Sequence, residues 1–582
     1  MSGWNRNLFP RKLMSNKNNI NFAILGLSIV FSYLLPIHIH PLRTFYQDAI
    51  VILGLLLAIL SLSLNGQLKL RFNGLSLICI GLASCILFQF LLEHSQALED
   101  LFIPCLYLLL LPFAYSAGAS LSTEPEQQEK LCLAFAYAYV LAGGLSVAMQ
   151  IVQISGLHLG SLVMFISNTG SFPRPYANVA QPNQLALMLC FALASTWFLY
   201  RKIKITKTVA IVAAVTLIVG LVFTQSRIGW IILPMFCFYI WKTQTDVNER
   251  RAPAAFFMLL LMAYFLMVFG LSHIIGHFGF SGGSVAEHVG GRSERMGLWA
   301  QAWSMAAHHL WFGVGWGGFG PAQVHIAADF PSSTYAEHAH NIVLNFAAEL
   351  GWPLTVLIFT GLGCWFYRAC MQPVKTSTRQ FAILCLIAVF VHSLVEFPLW
   401  YGYVLFPTVI FMGMLHQMRW SGGGVMIRKA LIIPVVVFGL FLTGAITWDY
   451  QRVVTGFNVL RWEQSGTKVD VRLLEQPEFT FFPQFFAYFK LMKIEPAEGM
   501  SKETIAYVEH WTPRFGFVHI LNKMAEIYVL NGAPEKAERM MQTLQRLHPD
   551  LYPDYFDYWK AKGNIDARYH AVFVNMPRRD AP

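Results

Sequence analysis

The chain has 582 residues, 55% of them hydrophobic and only 13% charged, with a mean hydropathy of +0.49 and a formal net charge of +10. Soluble domains carry about a quarter charged residues, so this composition excludes a soluble globular protein and gives no reason to expect a nucleic-acid partner. The nine cysteines fall in or beside apolar runs with no CxxC pair, which indicates neither a disulfide framework nor a zinc ribbon.

Apolar runs of roughly 17 to 25 residues begin near Ile20, Phe45, Asn73, Leu101, Leu131, Gln181, Thr208, Ile228, Ala254, Ile342, Phe381, Trp400 and Ala430. They predict an all-α, polytopic membrane bundle of about 13 transmembrane helices, each long enough for about 30 Å of hydrocarbon. No small-residue cleavage site follows the first run, so residues 20 to 38 read as a retained span. Placing Arg6, Arg11, Lys12 and Lys17 in the cytoplasm puts Lys69/Arg71, Arg201/Lys202/Lys204/Lys207, Lys242/Arg250/Arg251, Arg368/Lys375/Arg379 and Arg419/Arg428/Lys429 on that same side. The far side then receives a large loop at 276–341 and, after an odd number of spans, everything beyond residue 447. Two domains are expected: a transmembrane domain, 1–447, and an external helical domain, 448–582.

Five arginines stand on the wrong side of that pattern: Arg43, Arg174, Arg227, Arg292 and Arg295. Four of them lie in polar, Gly- or Pro-containing contexts, "GSFPRPYANVAQPNQ", "TQSRIGW" and "GGRSERMGLW". Guanidinium forks at an outer bilayer surface suit a phosphate or pyrophosphate ligand, because Arg stays protonated and matches that geometry; the alternatives are snorkelling to headgroups and pairing with Asp or Glu. Within the loop, Met296, Trp299, Trp303, Ala306 and Leu310 recur at helical spacing, a Trp-rich stripe that predicts an interfacial amphipathic helix able to cover a lipid tail or to pack on the bundle. The following "WFGVGWGGFGP" lacks a Walker ending and is not a nucleotide site.

The stretch "YAEHAHNIVLNFAAELGW" opens the next apolar run. His338, Asn341 and Asn345 are spaced i, i+3, i+7 and Glu349 follows by four, which predicts a polar stripe facing a wet cavity on a helix starting near Ala339. His338 and His340, two residues apart, make a poor metal pair, and no third ligand is evident. An imidazole there can accept a proton near neutral pH, the task required when a hydroxyl becomes a nucleophile. His392 and Glu396 form a second polar pair, i and i+4, whose carboxylate can orient the base or pair with an arginine. In the tail, "ILNKMAEIYVLNGAPEKAERMMQTLQRLHPDLYPDYFDYW" resembles one tetratricopeptide-like helix pair, with Ala525, Tyr528, Gly532 and Ala537 near the packing positions.

Taken in order, "QPNQLA" (181–186), "SRIGW" (226–230), "RMGLWAQAW" (295–303), "FGVGWGGF" (312–319), "HAHNIVLNFAAELG" (338–351) and "HSLVEFPLWY" (392–401) resemble the bacterial O-oligosaccharyltransferases, protein-glycosylation ligases of the O-antigen ligase and polymerase superfamily. The resemblance implies metal-independent transfer of an oligosaccharide, in one piece, from a polyprenyl-pyrophosphate carrier to a Ser or Thr hydroxyl of a periplasmic, often pilin-like, protein, without a cofactor. It implies an inner-membrane location with the active site and tail in the periplasm. It implies His340 as base, with His338 left as an alternative, and Arg227 and Arg295 as the arginines that stabilise the departing diphosphate. Arg292, Arg174, Gln181, Asn183, Asn341, Glu349 and Glu396 then join His338 as candidate substrate-binding residues. Two rivals remain: an O-antigen ligase or polymerase with a lipid or glycan acceptor, and a transporter of the same lipid-linked glycan. The polar elements gather on one side only, without the symmetry of transporter repeats.

Overall fold

The computed structural model describes residues 8–70, 74–92, 98–166, 174–244, 249–277, 294–371, 376–421, 425 and 428–579. Among these the regular structure is helical, with a single isolated bridge between Leu70 and Val425. The bundle comprises α1 (Leu8–Leu34), α2 (Phe45–Leu64), α3 (Gly74–Leu91), α4 (Leu98–Ser120), α5 (Pro125–Ser155), α6 (Pro182–Arg201), α7 (Lys207–Phe223), α8 (Ile228–Thr243) and α9 (Ala254–His277). The chain continues through α10 (Glu294–His308), α11 (Phe319–Ile326), α12 (Ile342–Leu350), α13 (Trp352–Cys370), α14 (Ser377–Ser393), α15 (Gly402–Arg419) and α16 (Lys429–Gln464). Among the described residues seven helices are long and apolar enough to cross a membrane, and five shorter apolar helices accompany them. The protein is a multi-pass membrane protein.

Close helix packing is written in small residues. A Cβ at Gly118 would lie 2.2 Å from the Ile410 carbonyl oxygen and one at Gly413 only 2.0 Å from that of Tyr115. Backbone therefore meets backbone where α4 crosses α15, the approach that apolar surroundings reward through packing.

The run expected from Ile342 is two helices rather than one span. Gly351, at φ +80°, breaks it, and a Cβ there would sit 2.5 Å from the Trp311 carbonyl oxygen. The Trp352 N–H donates to the Leu310 carbonyl at 2.9 Å, tying the break to the loop before it. The helix also begins three residues later than the polar spacing predicts: Asn341 is its N-cap, its side chain accepting from the Val343 and Leu344 N–H groups at 3.0 and 3.1 Å.

In α10 the Trp stripe is only partly packed: Ala306 is buried and Trp299 half-buried. Leu298, Ala302 and Met305 are buried against Phe319, Ala339 and Ala348, while Met296 and Trp303 are 63% and 58% exposed. Trp303 meets the edge of Trp352 instead, 5.5 Å between centroids.

Helix α16 runs unbroken for 36 residues, straight through the boundary expected at 447/448. Its first half exposes Leu431, Phe438 and Phe441, and its second half buries Tyr450, Val453 and Val459 in a second core. That core is completed by α17 (Pro483–Lys493), α18 (Lys502–Trp511) and α19 (Val518–Leu530), and Phe45, Tyr46 and Ile103 from the bundle pack against it. Helix α19 forms a hairpin with α20 (Pro534–Leu547) whose apolar face, Leu521, Ala525, Ala537, Met541 and Leu544, is covered by Trp559 of α21 (Tyr552–Gly563) and Tyr569 of α22 (Ala567–Phe573).

This tail is docked on the loop that leads to α12. The Ser333 and Tyr335 N–H groups donate to the Arg546 and Leu547 carbonyls at 2.9 and 3.2 Å. The Tyr335 hydroxyl donates to the Arg514 carbonyl at 3.3 Å, and Arg539 pairs with Asp329 at 2.7 Å. Val324 and Ala327 enter the tail's own core.

Candidate active site

Glu396, on the turn after α14, is 4% exposed and gathers three elements at one end of the bundle. Its Oε2 lies 3.0 Å from His340 Nδ1, from the segment before α12. Its Oε1 accepts from the Arg295 guanidinium of α10 at 2.5 Å and from Asn183 Nδ2 of α6 at 2.7 Å. Burial alone would lift this carboxyl, but the hydrogen bond from His340 and the charges of His340, Arg295 and His392 hold it below the usual carboxylate range.

The network continues through Asn183. Its Oδ1 accepts from the Ser226 hydroxyl at 2.8 Å and from Arg174 at 3.3 Å, and Arg174 Nε donates to the Thr224 carbonyl at 3.1 Å. Arg227 is exposed at the N-cap position of α8, close enough that its charge and that of Arg295 oppose protonation of Arg174. Burial is the larger cause there, and Glu396 works the other way. Glu396 thus pairs with Arg295 and attracts Arg174, and Arg227 stands near enough to act on Arg174, a local excess of positive charge suited to a polyanion.

His340 sits at φ +52°, a left-handed conformation that costs a non-glycine residue roughly 1–2 kcal/mol. The turn is held from behind, where the Ala339 N–H donates to Asn345 Oδ1 at 2.9 Å, and from the side, where the ring meets the edge of Phe397 at 4.8 Å. With Nδ1 on the carboxylate, the neutral ring presents Nε2 outward as an acceptor. His338 is differently placed: it lies against Phe397 and Trp400 at 5.2 and 4.7 Å, and its buried Nδ1 has no partner. Burial, followed by the neighbouring His340, pushes it down to about 3, so it stays neutral.

The polar stripe of α12 does not line a wet cavity. Asn341 caps the helix, Asn345 holds Ala339, and Glu349 is buried beneath the glycine loop. Burial pushes Glu349 up to about 8, opposed by the Gly317 and Phe319 N–H groups that face it. Gln89 of α3, an amide in an apolar run that no motif marks out, pins this arrangement: its Nε2 donates to the Phe312 and Glu349 carbonyls at 2.6 and 2.8 Å and its Oε1 accepts from the Trp316 N–H at 3.2 Å. Arg292 lies outside the described residues. Gln181 is at the N-cap position of α6, its Oε1 buried without a partner. Ser226 and Phe397 were also missed, although each adjoins a residue picked out in sequence.

Beside the cluster opens a cavity of about 1170 Å³, larger than typical small-ligand pockets and lined mostly by apolar side chains of α2, α3, α4, α15 and α16. Gln181, Phe397, Trp400 and Tyr401 stand where it meets the Glu396 site. A buried carboxylate beside an imidazole, cationic groups next to them and an apolar cavity adjoining both are an arrangement able to accept a proton from a hydroxyl and to hold an amphiphilic polyanion.

Two family models match the chain, "O-Antigen ligase" over residues 212–359 and "Virulence factor membrane-bound polymerase, C-terminal" over residues 380–560. The chain is 25% identical over 413 residues, 69% of its length and 71% of the relative's, to the general O-oligosaccharyltransferase of Acinetobacter baylyi. To the ComP-specific O-oligosaccharyltransferase of the same organism it is 28% identical over 268 residues, 44% of this chain and 48% of the relative. These matches support an O-oligosaccharyltransferase of the O-antigen ligase superfamily.

Proposed function

We propose that this protein moves an oligosaccharide, in one piece and without a metal, from a polyprenyl-pyrophosphate carrier to a Ser or Thr hydroxyl of a periplasmic, pilin-like protein. The reading places it in the bacterial inner membrane with its N-terminus in the cytoplasm, the Glu396 site and the tail in the periplasm, and a division near residue 447 between membrane and tail domains. The observation that carries it is the chain His340–Glu396–Arg295, in which one buried carboxylate orients a base and holds a cation beside it. The names of the two Acinetobacter relatives support a protein acceptor.

His340 Nε2 takes the acceptor hydroxyl proton as that oxygen attacks the anomeric carbon. The bond from that carbon to the phosphate oxygen breaks, its electron pair staying on the diphosphate, where Arg295, Arg227 and Arg174 stabilise the charge. One direct displacement inverts the anomeric centre. Asn183 positions the carboxylate and Gln181 the diphosphate, while the apolar cavity takes the polyprenyl chain.

The test is transfer by purified protein from a polyprenyl-pyrophosphate oligosaccharide to a pilin-like acceptor, with and without chelator, read as intact acceptor mass. A gain of one glycan that survives chelator and disappears in His340→Ala is expected; transfer at the wild-type rate in that variant would remove the base assignment. The match of residues 380–560 to a polymerase model supports a second reading, a ligase or polymerase with a lipid or glycan acceptor. Carrier consumption with those acceptors and no protein mass gain would select it.

A further inference from the structure

The three guanidinium groups of the Glu396 site stand outside the apolar cavity, but one arginine lies in its wall. Arg43, on the turn between α1 and α2, is exposed, and it is the one Lys or Arg among the described residues lining the cavity. Its guanidinium has no hydrogen bond or ion pair among the described residues, although two carboxylates, Asp48 and Glu337, line the same space. Asp48 is already engaged, accepting from the Tyr107 hydroxyl at 3.2 Å and the Tyr403 N–H at 3.3 Å.

The cavity and the Glu396 site are continuous. Gln181 lines the cavity two residues before Asn183, which touches Glu396, and Phe397 lines it while meeting His340. Tyr401, another lining residue, feels Glu396 and Asp48 as charges that add to its burial and Arg43 as one that opposes it. Going from the Glu396 cluster into the cavity, the order of groups is therefore base and arginines, then Gln181 and Tyr401 with Arg43 beside them, then apolar side chains.

A lipid diphosphate laid along that order has its sugar-side phosphate at the arginine cluster and its lipid-side phosphate where the apolar wall begins. We propose that Arg43 is the ligand of the lipid-side phosphate, a subsite separate from the Glu396 cluster. This rests on the carrier-dependent transfer proposed above. Breaking the bond from the anomeric carbon to oxygen leaves the electron pair on the diphosphate, which then carries one more negative charge at neutral pH, since a terminal phosphate completes its ionisation near about pH 6. That added charge falls on the sugar-side phosphate, among the arginines of the Glu396 cluster, while Arg43 gives the lipid-side phosphate, charged in donor and product alike, a cation that is not shared with Glu396.

Binding of three lipids to the purified full-length protein in nanodiscs separates the possibilities: polyprenyl monophosphate, polyprenyl pyrophosphate and phosphatidylglycerol. Arg43→Gln should weaken monophosphate and pyrophosphate by about 10- to 100-fold, the loss of one charge-assisted hydrogen bond, with Arg43→Lys recovering part of it. Arg227→Gln should weaken pyrophosphate but leave monophosphate unchanged, because that probe has only the lipid-side phosphate. Equal monophosphate affinity in wild type and Arg43→Gln would overturn the subsite. So would an equal loss for phosphatidylglycerol, which would make Arg43 a bilayer-headgroup contact. If wild-type protein bound neither polyprenyl lipid, the carrier reading would fall and the subsite with it, an outcome distinct from a variant that matches a wild type that binds.

Discussion

Glu396 Oε2 stands 3.0 Å from His340 Nδ1 while the other oxygen of the same carboxylate holds Arg295. Replacing the carboxylate with an amide keeps the shape but removes the charge and lets the side chain offer N–H where the imidazole needs an acceptor. Glu396→Gln is expected to lower the single-turnover rate by about 10² or more, within the range for losing general-base catalysis, with a smaller change in carrier KM. A proportionate rise in KM with kcat intact would make Glu396 a substrate contact instead.

The two imidazoles should separate cleanly in mutagenesis. His338, neutral and packed against Phe397 and Trp400, is expected to tolerate replacement by Leu with transfer within a few-fold of wild type. His340→Ala should lose about 10²- to 10⁴-fold. Initial-rate assays of the two variants side by side check this, and the reverse ranking would move the base to His338.

Glu349 predicts how stability varies with pH. Its folded-state value, about 8, lies above the ordinary 4.5, so the folded protein keeps a proton that the unfolded chain releases. The associated stability is complete below the unfolded value and is lost as pH rises towards about 8. Thermal unfolding in detergent should therefore show Glu349→Gln raising Tm at pH 8 with little effect near pH 4. A Tm gain of the same size at both pH values would assign it to packing rather than to this proton.

The contact between tail and loop should depend on shape more than on charge. Arg539 and Asp329 form an exposed pair, the kind worth about 0.2–1 kcal/mol, so Arg539→Ala is expected to change little. A Cβ at Gly516 would lie 2.5 Å from the Tyr335 ring and 2.8 Å from Val324. Gly516→Leu must displace Tyr335, five residues before His340, and should reduce transfer while exposing the 327–337 segment to protease. Limited proteolysis alongside the transfer assay checks both; wild-type cleavage and activity in Gly516→Leu would show that the tail does not support the site.

The bundle was legible because apolar runs of spanning length and the placement of basic residues are strong one-dimensional signals. Gly351 was less so: a glycine within an apolar run becomes a break only when the Leu310–Trp311 backbone comes against it, a contact across forty residues. The stripe of Asn341, Asn345 and Glu349 shows the same limit, since periodicity identifies a face without saying whether water or a glycine loop covers it. The residues meeting at Glu396 were individually visible as polar groups in apolar company. Their meeting was not, because Asn183, Arg295, His340 and Glu396 come from four separate segments.

The 36-residue α16 bears on whether this protein can be taken apart. At about 1.5 Å per residue it is about 54 Å long, against about 30 Å of hydrocarbon, so about 24 Å of it, over two fifths, exceeds what a bilayer core spans. Cutting the chain near residue 448 would sever this helix in mid-course and uncover Phe45, Tyr46 and Ile103, which the tail's core now covers. Membrane portion and tail are thus not modules to be exchanged between relatives at that point: a chimera has to carry the whole helix, together with the bundle residues fitted to it, from one parent.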